Sequence, residues 1–116
     1  MSRTWRVRLT DQAERDLVDI VRWTAQNFGA RQAEYYAETV MLAIDALNDG
    51  PQILGAKARD EIALGIRTLH VARNGRKGRH FVVFKVSDED VLEVLRLLHD
   101  SMELARHLPA ADDLPH

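Results

Sequence analysis

The stretch Leu9–Pro51, LTDQAERDLVDIVRWTAQNFGARQAEYYAETVMLAIDALNDGP, decides the architecture. Thr10 or Asp11 offers a helix N-cap, and Glu14 follows Asp11 at the spacing of a capping box. Apolar residues then recur at Ala13, Leu17, Ile20, Val21, Ala25 and Phe28. Those steps put them on one face of a helix with a period near 3.6. Gly29 is placed to end it as a C′ residue. A second helix is expected from about Ala30 to Asn48, with Ala33, Tyr36, Ala37, Val40, Ile44 and Leu47 as its stripe and Gly50-Pro51 as its stop. A link of only a residue or two forces the two helices into an antiparallel hairpin.

Strands flank this hairpin. On its N-terminal side, Trp5, Val7 and Leu9 alternate with Arg6 and Arg8, the period of a half-buried strand. On its C-terminal side, residues 50–65 read as a loop rich in glycine, and three strand candidates follow at Ile66–Ala72, His80–Val86 and Val91–Leu98. Asn74-Gly75 and Gly78 supply turn chemistry between the first two, and residues 87–90 a polar turn between the last two. Strands joined by such short turns are antiparallel. His80–Val86 is apolar on both faces except at Lys85, so it is expected to be the central strand. Ser101–Leu108 reads as a short helix ended by Pro109, and residues 109–116 as a frayed tail. The class is therefore α+β, a helical hairpin packed on a small, mostly antiparallel sheet, as a single domain over residues 1–116. The place of the first strand in the sheet is not legible.

With 116 residues, 46% of them hydrophobic, the chain is large enough to bury a core, which argues against disorder. The absence of cysteine removes thiolate catalysis and disulfide frameworks. The opening MSRTWRVRLT has no apolar h-region, and no run approaches a membrane span, so a cytoplasmic protein is expected. Charge is uneven: residues 1–61 carry eight Lys/Arg against ten Asp/Glu, residues 62–87 six against none, and residues 88–116 two against eight. An acid-free basic centre suggests an anionic partner for that segment.

No phosphate loop, dinucleotide fingerprint or nucleophile elbow is present, and no pair of histidines has a metal-ligand spacing on one helix. No metal and no cofactor are therefore expected. His99, which ends the last strand in RLLHD, is the best-placed acid–base candidate; the plainer role is that it closes the sheet end with a hydrogen bond to backbone. The hairpin VARNGRKGRHF carries Arg73, Arg76, Lys77 and Arg79 at a strand–strand tip, suited to phosphates or to an acidic peptide. Trp23 falls at the edge of the first helix's stripe, where an exposed aromatic would favour a partner surface.

At this point the residues resemble a known family. LTDQAERDLVDI looks like the first helix of ParE-type toxins, which often read LT-x-x-A-x-x-DL-x-x-I, and AEYYAETVMLAIDALNDGP resembles their second helix with its closing proline. DEIALGIRTLHV and FVVFKVSDEDVLEVLRLLHDSMELARHL are similar to their sheet segments and short terminal helix. The likeness runs over about residues 6–108, and it rests on the order and spacing of these segments together.

Membership of this ParE/RelE superfamily implies the toxin half of a type II toxin–antitoxin system. ParE-like members poison DNA gyrase and block replication until a ParD-like antitoxin, encoded beside them, neutralises them. RelE-like relatives cleave messenger RNA on the ribosome with basic residues and commonly a C-terminal tyrosine. Here no tyrosine follows Tyr36, so His99 with Arg67, Arg79 and Arg96 is all a ribonuclease would have. The expectation is a toxin that binds rather than catalyses, with Arg67, Arg73, Arg76, Lys77, Arg79, Arg96 and Trp23 as antitoxin- or target-binding candidates and no direct DNA binding. The alternatives are the ribonuclease and a degenerate, non-toxic binding module.

Overall fold

The computed structural model describes residues 4–102. Two helices pack on one face of a five-stranded mixed sheet. In chain order the elements are β1 (Arg6–Leu9), α1 (Asp11–Phe28), α2 (Ala30–Ala46), a 3-10 turn (Leu47–Asp49), β2 (Lys57–Ala58), β3 (Arg67–His70), β4 (His80–Asp88) and β5 (Val91–His99). The expected helix over residues 101–108 and the tail at 109–116 lie, from residue 103 onward, outside the described residues.

The N-cap of α1 is Thr10, not Asp11: its hydroxyl accepts the Ala13 N–H at 3.0 Å, so the Asp11–Glu14 capping box is not used. The same hydroxyl donates to Leu95 O of β5, which fixes where the helix leaves the sheet. Gly29, at φ 92, serves as C-cap of α1 and N-cap of α2 at once. One residue therefore makes the whole turn of the hairpin, in a backbone region that costs a side chain energy. The apolar stripe of α1 holds from Ala13 to Ala25, but Phe28 is exposed.

The strand order is β1-β5-β4-β3-β2. β4 is central, as its two apolar faces require, and it pairs antiparallel with both β3 and β5. β1 lies at the edge beside β5 and parallel to it, Arg6 opposite Val91 and Leu9 opposite Val94. A strand that starts the chain can join its last partner in parallel only because the helical hairpin carries the chain across the sheet between them. β2 is a two-residue strand inside what reads as loop from sequence, held only by Thr68 and Arg67 of β3.

The main core fills the space between helices and sheet, with Val40 and Ile44 of α2 and Leu47 of the 3-10 turn against Leu69, Val82, Phe84, Leu92 and Val94. A smaller cluster on the sheet's other face joins Ala63 and Ile66, from the loop after β2, to Val83 and Leu98. Among the described residues, no helix is long and apolar enough to cross a membrane.

Candidate functional site

The link from β3 to β4 is shaped residue by residue. Asn74 (φ 52) and Gly75 (φ 81) both take positive φ, and the Arg76 N–H reaches Arg73 O at 2.9 Å, the turn that Asn-Gly favours. Gly78 then passes so close to α2 that a Cβ there would collide with the Val71 side chain and lie 3.1 Å from Tyr36 Oη. Arg76 does not point outward. Its guanidinium stacks on the Tyr35 ring at 4.0 Å and donates to Thr39 Oγ1 at 2.8 Å and to Tyr35 O at 3.0 Å, with Glu38 3.6 Å away. Arg76 thus staples the basic loop to α2, while Lys77 and Arg79 stay exposed.

Beside this loop, the ends of β3, β4 and β5 gather three histidines. His80 and His99 face each other in register with rings 5.2 Å apart, edge to face, and His70 stacks edge-on to Phe81 at 5.0 Å. Asp100 is the hub. It accepts Arg79 Nε at 3.0 Å and Nη2 at 2.9 Å, and it lies 3.0 Å from His70 Nε2. The hydrogen bond from His70 first, and then the Arg79 guanidinium, hold the Asp100 carboxyl below the usual carboxylate range.

The Ala72 N–H donates to His70 Nδ1 and the Ser101 N–H to His99 Nδ1, which assigns the ring hydrogen of those two to Nε2. The Tyr36 hydroxyl, which accepts the Arg79 N–H at 3.0 Å, is hydrogen-bonded to His80 Nδ1 at 2.6 Å. Burial, and then the neighbouring His99, push His80 down to about 4. Burial likewise raises the Tyr36 phenol. His80 is therefore neutral near pH 7 and serves as part of the packing.

The sequence-predicted residues do not converge. Only Arg79 and His99 meet, through Asp100, which is 3.7 Å from His99 Nδ1. His99 bonds to Ser101 rather than closing the sheet end on a backbone carbonyl. Arg67, at the far end of β3, donates to Pro51 O at 2.8 Å. Arg96 is drawn to α1, where Asp16 takes its Nε at 2.8 Å. Arg73 lies against Leu54 O at 3.4 Å. Trp23 is 58% exposed on α1 and packs edge-on against the exposed Phe28 at 5.8 Å. Among the described residues, no group of three or more acidic or histidine side chains is arranged to hold a metal ion.

Sequence reasoning missed Asp16, Tyr36 as a polar group, and the Asp100 hub. Asp16 carried a signal, since it sits inside the apolar stripe between Ala13 and Ile20. The histidine cluster carried none that survives without strand register, because its members are ten and nineteen residues apart along the chain.

A family model described as the ParE toxin of type II toxin–antitoxin system, parDE, matches residues 7–104. Toxin ParE1 of Mycobacterium tuberculosis is 33% identical over 103 residues, spanning 89% of this chain and 97% of the relative. Toxin ParE1 of Caulobacter vibrioides is 29% identical over 101 residues, 87% of this chain and 95% of the relative. Among solved structures, a chain of the chromosomal ParDE system from P. aeruginosa superposes with a TM-score of 0.67 at 20% identity, covering 84% of this chain and 98% of its own length. A chain of the RelBE2 toxin–antitoxin complex from Mycobacterium tuberculosis does so with a TM-score of 0.54 at 25% identity, covering 83% and 91%.

Proposed function

The chain belongs to the ParE toxin family of type II toxin–antitoxin systems, and from that membership we propose that it inhibits DNA gyrase, arrests replication, and is neutralised by a ParD-like antitoxin encoded beside it. The setting is the bacterial cytoplasm, where gyrase works. The domain acts as one unit over residues 1–116, by binding and without a cofactor.

The observation that carries binding over catalysis is the fate of the arginines. Cleaving a phosphodiester needs cations free to meet developing negative charge, beside a general base. Arg96 is ion-paired with Asp16 and Arg79 with Asp100, while Arg67, whose Nε donates to Pro51 O, lies at the far end of β3 from His99, so none of the three is both unpaired and beside His99. What the surface does offer is a basic edge for a partner: Lys77 and Arg73 on the β3–β4 loop, with Trp23 exposed on α1.

The test is supercoiling by purified gyrase with increasing amounts of the chain, with and without the antitoxin. Dose-dependent loss of supercoiling, restored by the antitoxin, is the expected result. Normal supercoiling at saturating chain, with transcripts cleaved in cells that express it, would move the assignment to the ribonuclease. A His99→Ala chain that kept full toxicity would then remove the ribonuclease in turn.

A further inference from the structure

β4 is longer than the strand beside it. Its nine residues pair with β5 from His80 to Asp88, but β3 covers only Phe81–Phe84. Arg67, opposite Phe84, is the first residue of β3, and the pairing with β4 stops there. Among the described residues, the stretch from Lys85 to Asp88 has a strand neighbour on one side only. An open sheet edge presents backbone donors and acceptors ready to pair with another extended chain.

Against that edge lies a concavity of about 350 Å³, whose lining includes Pro51, Leu64, Arg67, Lys85 and Val86. Leu64 is 88% exposed and Val86 is 47% exposed, an unusual degree for an aliphatic pair beside a cleft. The lining holds two cations, Arg67 and Lys85, against one carboxylate, Asp60, and Asp60 already accepts the Gly65 N–H at 3.1 Å. The segment from residue 62 to 87 that supplies most of this wall has no acid, and the acids Asp88, Glu89 and Asp90 follow at the end of β4 and in its turn.

We infer that the open stretch Lys85–Asp88 of β4 takes up an extended segment of the antitoxin as an added strand, with an apolar side chain of that segment against Leu64 and Val86 and a carboxylate of it on Lys85. The inference rests on the antitoxin reading above and gives it a place on the molecule. Backbone pairing supplies the affinity and the two side-chain contacts set the register. The position is distinct from the β3–β4 loop, whose Arg76 is already folded onto α2.

The experiment is amide hydrogen exchange on the chain alone and on the chain co-purified with the antitoxin encoded beside it, together with the affinity of a Lys85→Glu variant. The expected result is exchange slowed by about tenfold or more at the amides of Lys85–Asp88 that face away from β5, and a Kd raised about tenfold at low salt by Lys85→Glu, less at high salt. A tight complex with unchanged exchange there and unchanged affinity for the variant overturns the added strand and leaves the antitoxin reading standing. Failure of any complex to form removes both. Protection in the chain alone that grows with its concentration would assign the edge to a second copy of the chain instead. Circular dichroism and thermal unfolding of the variant separate lost binding from lost folding, since Lys85 stands opposite Glu93 of β5 and the reversal places two carboxylates on that rung.

Discussion

The carboxylate of Asp16, in the second turn of α1, takes both Nε (2.8 Å) and Nη2 (3.2 Å) of Arg96 from β5, eighty residues further along the chain. The same carboxylate accepts the Leu97 N–H at 2.9 Å and the Gln12 amide at 3.0 Å. Burial pushes the Asp16 carboxyl up, but the hydrogen bonds from Arg96, Leu97 and Gln12, with the arginine's charge, outweigh it and hold the group below its ordinary range. A half-buried, forked pair of this kind locks the first helix to the last strand at one register.

Asp16→Ala is expected to cost about 2–4 kcal/mol, since it strands the Arg96 guanidinium and the Leu97 N–H together. Arg96→Ala should cost a similar amount, and the double variant much less than the sum. Urea unfolding of the four proteins measures this. Additive losses would mean that the two residues do not act as a unit.

His80 gives stability a pH dependence of known sign. It titrates at about 4 in the folded chain, against 6.5 as the ordinary value, so the unfolded chain takes up the proton first as pH falls. The stability due to neutral His80 is complete above about pH 6.5 and declines down to about pH 4. After allowance for solvent screening the loss is on the order of 1–2 kcal/mol. His80→Gln should flatten that part of a melting-temperature profile between pH 7 and 4.

Tyr36→Phe removes both the hydrogen bond to His80 and the acceptor of the Arg79 N–H. A loss of about 1–2 kcal/mol is expected, with faster amide exchange at Arg79. An unchanged exchange rate there would mean that the loop is held by something other than the tyrosine.

The two glycines of the β3–β4 loop should separate by cause. At Gly75, φ is 81 with open space around a Cβ, so Gly75→Ala pays conformational strain alone, about 1 kcal/mol. Gly78→Ala drives a methyl into Val71 and should cost more, about 1–3 kcal/mol. Equal melting temperatures for the two variants would contradict the close approach to Val71.

Charge reversal in the loop should divide in the same way. Lys77→Glu is expected to slow association with the antitoxin and flatten its salt dependence without moving the melting temperature. Arg76→Glu is expected to lower the melting temperature, because Arg76 holds the loop to Tyr35 and Thr39. Stopped-flow binding at two ionic strengths, beside thermal unfolding, distinguishes them.

Local pattern was enough for the helical hairpin, the three C-terminal strands, the primed turn at Asn74-Gly75 and the central place of β4. Apolar spacing and turn chemistry are properties of neighbouring residues, and neighbours in the chain are visible in the sequence. The same holds for the basic charge of residues 62–87. Folding settled which charges remain available: Arg76 and Arg96 read alike as basic residues, yet one is bound to α2 and the other to Asp16. It also settled the parallel seat of β1 beside β5, the meeting of Tyr36, His70, His80 and Asp100, and the length by which β4 outruns β3. All of these depend on strand order and register between residues dozens of positions apart. Side-chain periodicity along any one segment carries no record of them, because it reports which face is buried and not which partner buries it.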